Sequence, residues 1–141
     1  MTIPASVKTI GAGAFDCNYY LSDVVIEPRD TLLSLENRVF VCSDLKSFDF
    51  TYCGKIGKDS FYGCHSLTSI TLPSHIDITS AVGAFRQCSN LKTVNFPDNI
   101  NFIPDAFFSS CTSLENINAS KITSIGEHAF SYCEKLTNYD F

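Results

Sequence analysis

The sequence predicts an α/β solenoid: a right-handed superhelix of six coils of about 22–24 residues, with short parallel strands on its concave side and short α or 3₁₀ segments on its convex side. Three observations predict it. Leucines return at Leu21, Leu45, Leu67, Leu91, Leu114 and Leu136, at intervals of 24, 22, 24, 23 and 22 residues obtained by subtracting positions. Phenylalanines keep step with them at Phe15, Phe40, Phe61, Phe85, Phe108 and Phe130. Around both anchors one phrase recurs, Ile-Gly-x-x-Ala-Phe-x-x-Cys-x-x-Leu-x-x-Ile-x-Leu-Pro, most completely from Ile56-Gly57 through Phe61, Cys64, Leu67, Ile70 and Leu72 to Pro73.

Each part of the phrase has a local meaning. Leu-x-x-Ile-x-Leu alternates apolar with polar, as in Leu91, Val94 and Phe96, which is the period of a strand with one buried face. Proline at 28, 73 and 97 lacks the N–H needed to continue a ladder and ends the strand. The stretch from Ile125 to Cys133 is long enough for a turn or two of helix, and Gly11, Gly57 and Gly126 are expected to supply bends. One such unit cannot enclose its own apolar face, so successive coils must cover one another and like residues must pile into columns.

Departures from the phrase are local. Asn18 takes the cysteine slot with Cys17 one place early, Glu36 replaces the glycine, Phe40 to Leu45 is one residue short, and Ser80-Ala81 stands for Ile-Gly. With its Ile-Gly-x-x-Ala-Phe segment, the following Cys and the Pro after the strand, the chain resembles the BspA-like type of leucine-rich repeat over its whole length. That resemblance implies a cell-surface or secreted protein that adheres to host matrix proteins or to other cells. The sequence has no signal peptide, which keeps the cytoplasm open as a location.

Bulk properties set outer bounds. A composition 45% hydrophobic and 18% charged is that of an ordered globular chain, read here as a single leucine-rich repeat domain over 1–141 and a fragment of a longer array. A net charge of -5 gives no basic footprint for nucleic acid, and no run approaches the ~20 apolar residues that span a bilayer. Neither nucleic acid nor membrane insertion is expected.

Seven cysteines is an odd number for a disulfide framework. Cys64, Cys88, Cys111 and Cys133 share one repeat position, and Cys53 sits where another coil has Ile122, so all five read as small buried apolar residues. No paired Cys-x-x-Cys or neighbouring histidine suggests a metal. His65, His75 and His128 are scattered, no nucleophile elbow or phosphate loop occurs, and the Asn118-Ala119-Ser120 triplet lies on a predicted strand. The chain is read as a non-enzyme without catalytic residues, metal or cofactor.

Recognition is assigned to the outward strand residues. Alternation places Asp23, Ser47, Ser69, Thr93, Asn116 and Asn138 in one column and Val25, Asp49, Thr71, Asn95, Asn118 and Asp140 in the next. The resulting face is small, polar and faintly acidic, and lacks the Trp, Tyr and Arg that dominate protein hot spots. The expected function is a protein-interaction or adhesion module binding a protein or glycan there. The alternative is a structural scaffold that self-associates through uncapped solenoid ends, as a homo-oligomer with no dedicated ligand site.

Overall fold

The computed structural model describes residues 1–137, and each coil runs past three faces. The primary strand face carries β1 (Thr2–Ile3), β3 (Val25–Ile26), β6 (Ser69–Thr71), β7 (Thr93–Asn95) and β9 (Asn116–Asn118). The second strand face carries β2 (Thr9–Ile10), β4 (Leu33–Leu35), β5 (Cys53–Ile56), β8 (Phe102–Ile103) and β10 (Ser124–Ile125). Every strand pairing is parallel and joins successive coils: β1 with β3, β2 with β4, β4 with β5, β6 with β7, β7 with β9 and β8 with β10.

The inward columns stand as the repeat requires. Leu45, Leu67, Leu91 and Leu114 are fully buried, with Leu21 and Leu136 nearly so. The phenylalanines form one aromatic file, with ring centroids 5.6 Å apart from Phe15 to Phe40, 5.4 Å to Phe61, 5.2 Å to Phe85, 5.9 Å to Phe108 and 5.7 Å to Phe130. Phe48, Phe50, Phe96 and Phe107 pack around the file. Dispersion and burial therefore reinforce one another along the axis. Among the described residues no buried side-chain nitrogen or oxygen lacks a partner.

The third face departs from expectation. Among the described residues there is no helix, so the α or 3₁₀ segments predicted for this side do not form. The reason lies in where the amides go. Ala14, Asp16 and Asn18 donate three residues back, to Gly11, Gly13 and Phe15. Between them, Gly13, Phe15 and Cys17 donate to Asn37, Val39 and Val41 of the next coil at 2.8–2.9 Å. The pattern recurs at Arg38, Phe40 and Cys42, at Asp59, Phe61 and Gly63, at Gly83, Phe85 and Gln87, and at Ala106, Phe108 and Ser110. An amide given to a neighbouring coil cannot also serve an i→i−4 bond, so a tight turn with a lateral ladder replaces the helix.

Left-handed backbone makes this alternation possible. Two places before each of the first five phenylalanines φ is +66° at Gly13, +60° at Arg38, +53° at Asp59, +64° at Gly83 and +52° at Ala106. Two places after, it is +56° at Cys17, +54° at Cys42, +69° at Gly63, +59° at Gln87 and +63° at Ser110. Most of these positions are not glycine, so the stack itself holds them in a conformation that L-residues seldom adopt.

The Ile-Gly glycines are not bends. Gly11, Gly57 and Gly126 lie outside the left-handed region. Gly57 instead lets two coils approach, since a β-carbon there would lie 2.6 Å from the Glu36 carbonyl carbon. Gly11, with no coil packed beneath it, has nothing within 4 Å of the same point.

The second coil is the irregular one. Ser43 fills its cysteine slot three places after Phe40, the missing residue falls between Ser43 and Leu45, and the bulky Phe48 and Phe50 follow. No strand forms over 46–50, and the primary face is interrupted between β3 and β6.

Candidate binding face

Strand pairing places half of the expected face in file. Ser69, Thr93 and Asn116 are register partners across β6, β7 and β9, as are Thr71, Asn95 and Asn118. Ile70, Val94 and Ile117 between them point the other way, into the core or against it. All six polar residues are exposed except the half-buried Thr93. Asn95 Nδ2 donates to Thr71 Oγ1 at 3.2 Å, a bond between neighbouring rungs of one column.

The earlier members of the columns are placed differently. Val25 is 57% exposed and donates its amide to Met1, and the Asp23 carbonyl accepts from the terminal amine at 2.8 Å. Ser47 and Asp49 are exposed but belong to no strand. Asp49 Oδ1 accepts from the Thr51 amide at 2.9 Å and from its hydroxyl at 2.6 Å, closing an Asx turn. With Thr51, Ser69, Thr71 and Pro73 they line an open depression of about 270 Å³ beside the sheet edge. Asn138 and Asp140 lie outside the described residues.

Behind this face the cysteine column is held by chemistry as well as by size. The thiols of Cys64, Cys88, Cys111 and Cys133 donate to the carbonyls of Phe40, Phe61, Phe85 and Phe108, one coil earlier, at 3.1–3.2 Å. Ser43 Oγ makes the equivalent bond to Phe15 at 3.4 Å. Burial pushes Cys53 and Cys64 up to about 12 and Cys133 to about 11, and it raises Cys88 and Cys111 in the same direction. These groups stay protonated and unreactive at neutral pH.

Alternation along strands does not reveal one surface feature, because it lies on the turn face. Arg86, Ala106, Ser109, His128, Ser131 and Tyr132 line a depression of about 490 Å³. Arg86 lies 5.8 Å from the Tyr62 ring centroid and Tyr132 is 74% exposed, so the residue types absent from the strand columns gather here. Only the position of these residues just before or after the phenylalanine anchors could have brought them together from sequence. Among the described residues no group of three or more His, Cys, Asp or Glu is placed to hold a metal ion, and no helix is long and apolar enough to cross a membrane.

Six copies of the BspA type leucine-rich repeat region match the chain, over residues 1–81 and 54–141. The chain belongs to this family. It is similar to the crystal structure of the leucine-rich repeat protein of T. pallidum, with 31% identity, a TM-score of 0.84 and coverage of 97% of this chain and 64% of that one. It is also similar to a leucine-rich repeat protein from Bacteroides ovatus, at 26% identity and a TM-score of 0.80, covering 96% of this chain and 35% of that one. The chain thus spans less than two thirds of the length of either. No curated protein matches it.

Proposed function

We propose that this leucine-rich repeat chain is an interaction module that binds a protein or glycan partner on its primary strand face, at the cell surface or after secretion. The observation that carries this reading is the pair of polar columns kept in register over β6, β7 and β9, exposed at five of their six residues and committed to no other element. A stack that displays small donors and acceptors on three successive rungs suits an extended partner, and repeat proteins recognise partners along such surfaces. Membership of the family supports an interaction scaffold, and the resemblance described above supports adhesion and surface display.

The test is a binding screen of the intact chain against immobilised matrix proteins and glycans, repeated with Asn95→Arg/Asn118→Arg and with Arg86→Ala/Tyr132→Ala. Saturable binding lost in the first variant and kept in the second is the expected result. Loss in the second alone would move the site to the turn face. Concentration-dependent association with no added ligand, seen by light scattering, would favour the self-assembling scaffold.

A further inference from the structure

Of the three cysteines outside the buried column, Cys53 is buried on β5 and the other two lie on the turn face. Cys17 and Cys42 each follow their phenylalanine by two places, on adjacent coils of the turn face. The Cys17 amide donates to Val41 at 2.8 Å, which sets the two residues side by side in the lateral ladder. Their φ values, +56° and +54°, are nearly the same, so the two side chains leave the backbone in nearly the same direction. Rungs joined by such bonds are about 4.8 Å apart, within the roughly 4.4–6.8 Å Cα separation that a disulfide spans.

We infer that Cys17 and Cys42 form an oxidisable pair that closes into an inter-coil disulfide on reaction with a small-molecule disulfide. Cys17 is exposed, its thiol donating to Asp16 Oδ1 at 3.2 Å, and is the sulfur an oxidant meets first. Cys42 is half-buried, and burial, then the charges of Cys17 and Asp16, raise its thiol above the ordinary value, an effect that Arg38 only partly offsets. A β-carbon at Gly63 on the next rung would lie 3.0 Å from the Cys42 sulfur, so that thiol now leans toward the third coil. Parallel Cα–Cβ bonds on rungs about 4.8 Å apart leave the β-carbons wider than the ~3.8 Å a disulfide prefers, so closure combines rotation about χ1 at both cysteines with a small tilt of the turn backbone.

The chemistry balances as two exchanges. The Cys17 thiolate attacks one sulfur of the oxidant, forming a mixed disulfide and expelling one thiolate, which takes up a proton. The Cys42 thiolate then attacks the Cys17 sulfur and expels the second. Two protein thiols are oxidised and one disulfide is reduced to two thiols. The bond would fasten the first coil to the second, where the primary face has no strand pairing. The buried column offers no competing pair, because its thiols are turned to phenylalanine carbonyls and burial keeps them protonated.

The folded chain is incubated with oxidised glutathione, digested with trypsin without reduction, and mapped by mass. The expected product is the peptide 9–29 joined to 39–46, with five of the seven thiols still titratable after denaturation and a melting temperature above that of the reduced chain. Cys17→Ser and Cys42→Ser should each abolish the joined peptide. Two separate glutathione adducts in the parent chain, a link to any other cysteine, or a joined species that melts lower would each overturn the proposal.

Discussion

The strand faces and the turn face bind successive coils by different means, and the less regular-looking face is the continuous one. Strand pairing comes in pieces, β1–β3 and β6–β7–β9 on one face, β2–β4–β5 and β8–β10 on the other. The turn-face ladder runs without a gap from Gly13 to Ser131, and the phenylalanine file runs beneath it from Phe15 to Phe130. The continuous link along the axis is thus backbone that is neither helix nor strand, while the strand faces can lose a strand, as the second coil does, and still stack.

The severest way to break the contrast is Phe61→Ala. Phe61 is fully buried, 5.4 Å from Phe40, 5.2 Å from Phe85 and 5.0 Å from Phe48, so the cavity should cost about 3–5 kcal/mol in denaturant or thermal unfolding. An unchanged melting temperature would mean the file does not hold the coils together.

Close approach gives a sharper pair. Gly57→Ala sets a β-carbon against Glu36 backbone that cannot step aside and should cost about 1–3 kcal/mol. Gly11→Ala, which meets open space, should be neutral or slightly stabilising in the same assay.

Alkali probes the buried thiols. The folded pKa of Cys53 and of Cys64, about 12, lies above the unfolded value of 9.0. Below pH 9.0 both states hold the proton and the contribution to stability is complete. Above it only the unfolded chain releases the proton, so stability falls as pH rises from 9.0 toward about 12, by up to about 1.4 kcal/mol per pH unit for each such thiol. Urea titrations across this window should show the slope, and Cys64→Ser should lessen it.

Smaller effects complete the series. Cys88→Ser should cost no more than about 1 kcal/mol, because Ser43 already fills the same slot with the same bond. Asn95→Ala and Asn118→Ala, on the exposed face, should change stability by only about 0.5 kcal/mol, which makes them clean reporters of binding.

Much of this was legible from the residues. Burial selects the same side chain at every coil, so the leucine, phenylalanine and cysteine columns announce themselves by recurrence. Asn95 and Asn118 could be placed outward because a strand's period of two allows nothing else once Val94 and Ile117 point in. Other features carried no local signal. Strands of two residues such as Thr9–Ile10 and Phe102–Ile103 are too short to show alternation, so the second strand face went unpredicted. The segment from Ile125 to Cys133 has the apolar spacing of a helix, but its conformation depends on amide partners a whole coil away, which no window of neighbouring residues contains. Ser47 and Asp49 fell out of the sheet for a related reason: the one-residue deletion before Leu45 and the Phe48–Phe50 pair, with rings 4.8 Å apart, act through packing between coils.

The lateral ladder also determines how far the stack can arc. Where helices back a row of strands, one side of each coil is about 8–10 Å wide against about 4.8 Å on the other, and the mismatch bends the array into a horseshoe. Here amide-to-carbonyl bonds between coils, and not packed helices, set the pitch on the turn face. That source of curvature is removed here, and the polar rungs over β6, β7 and β9 are spaced by the same backbone pitch as the turns on the opposite side.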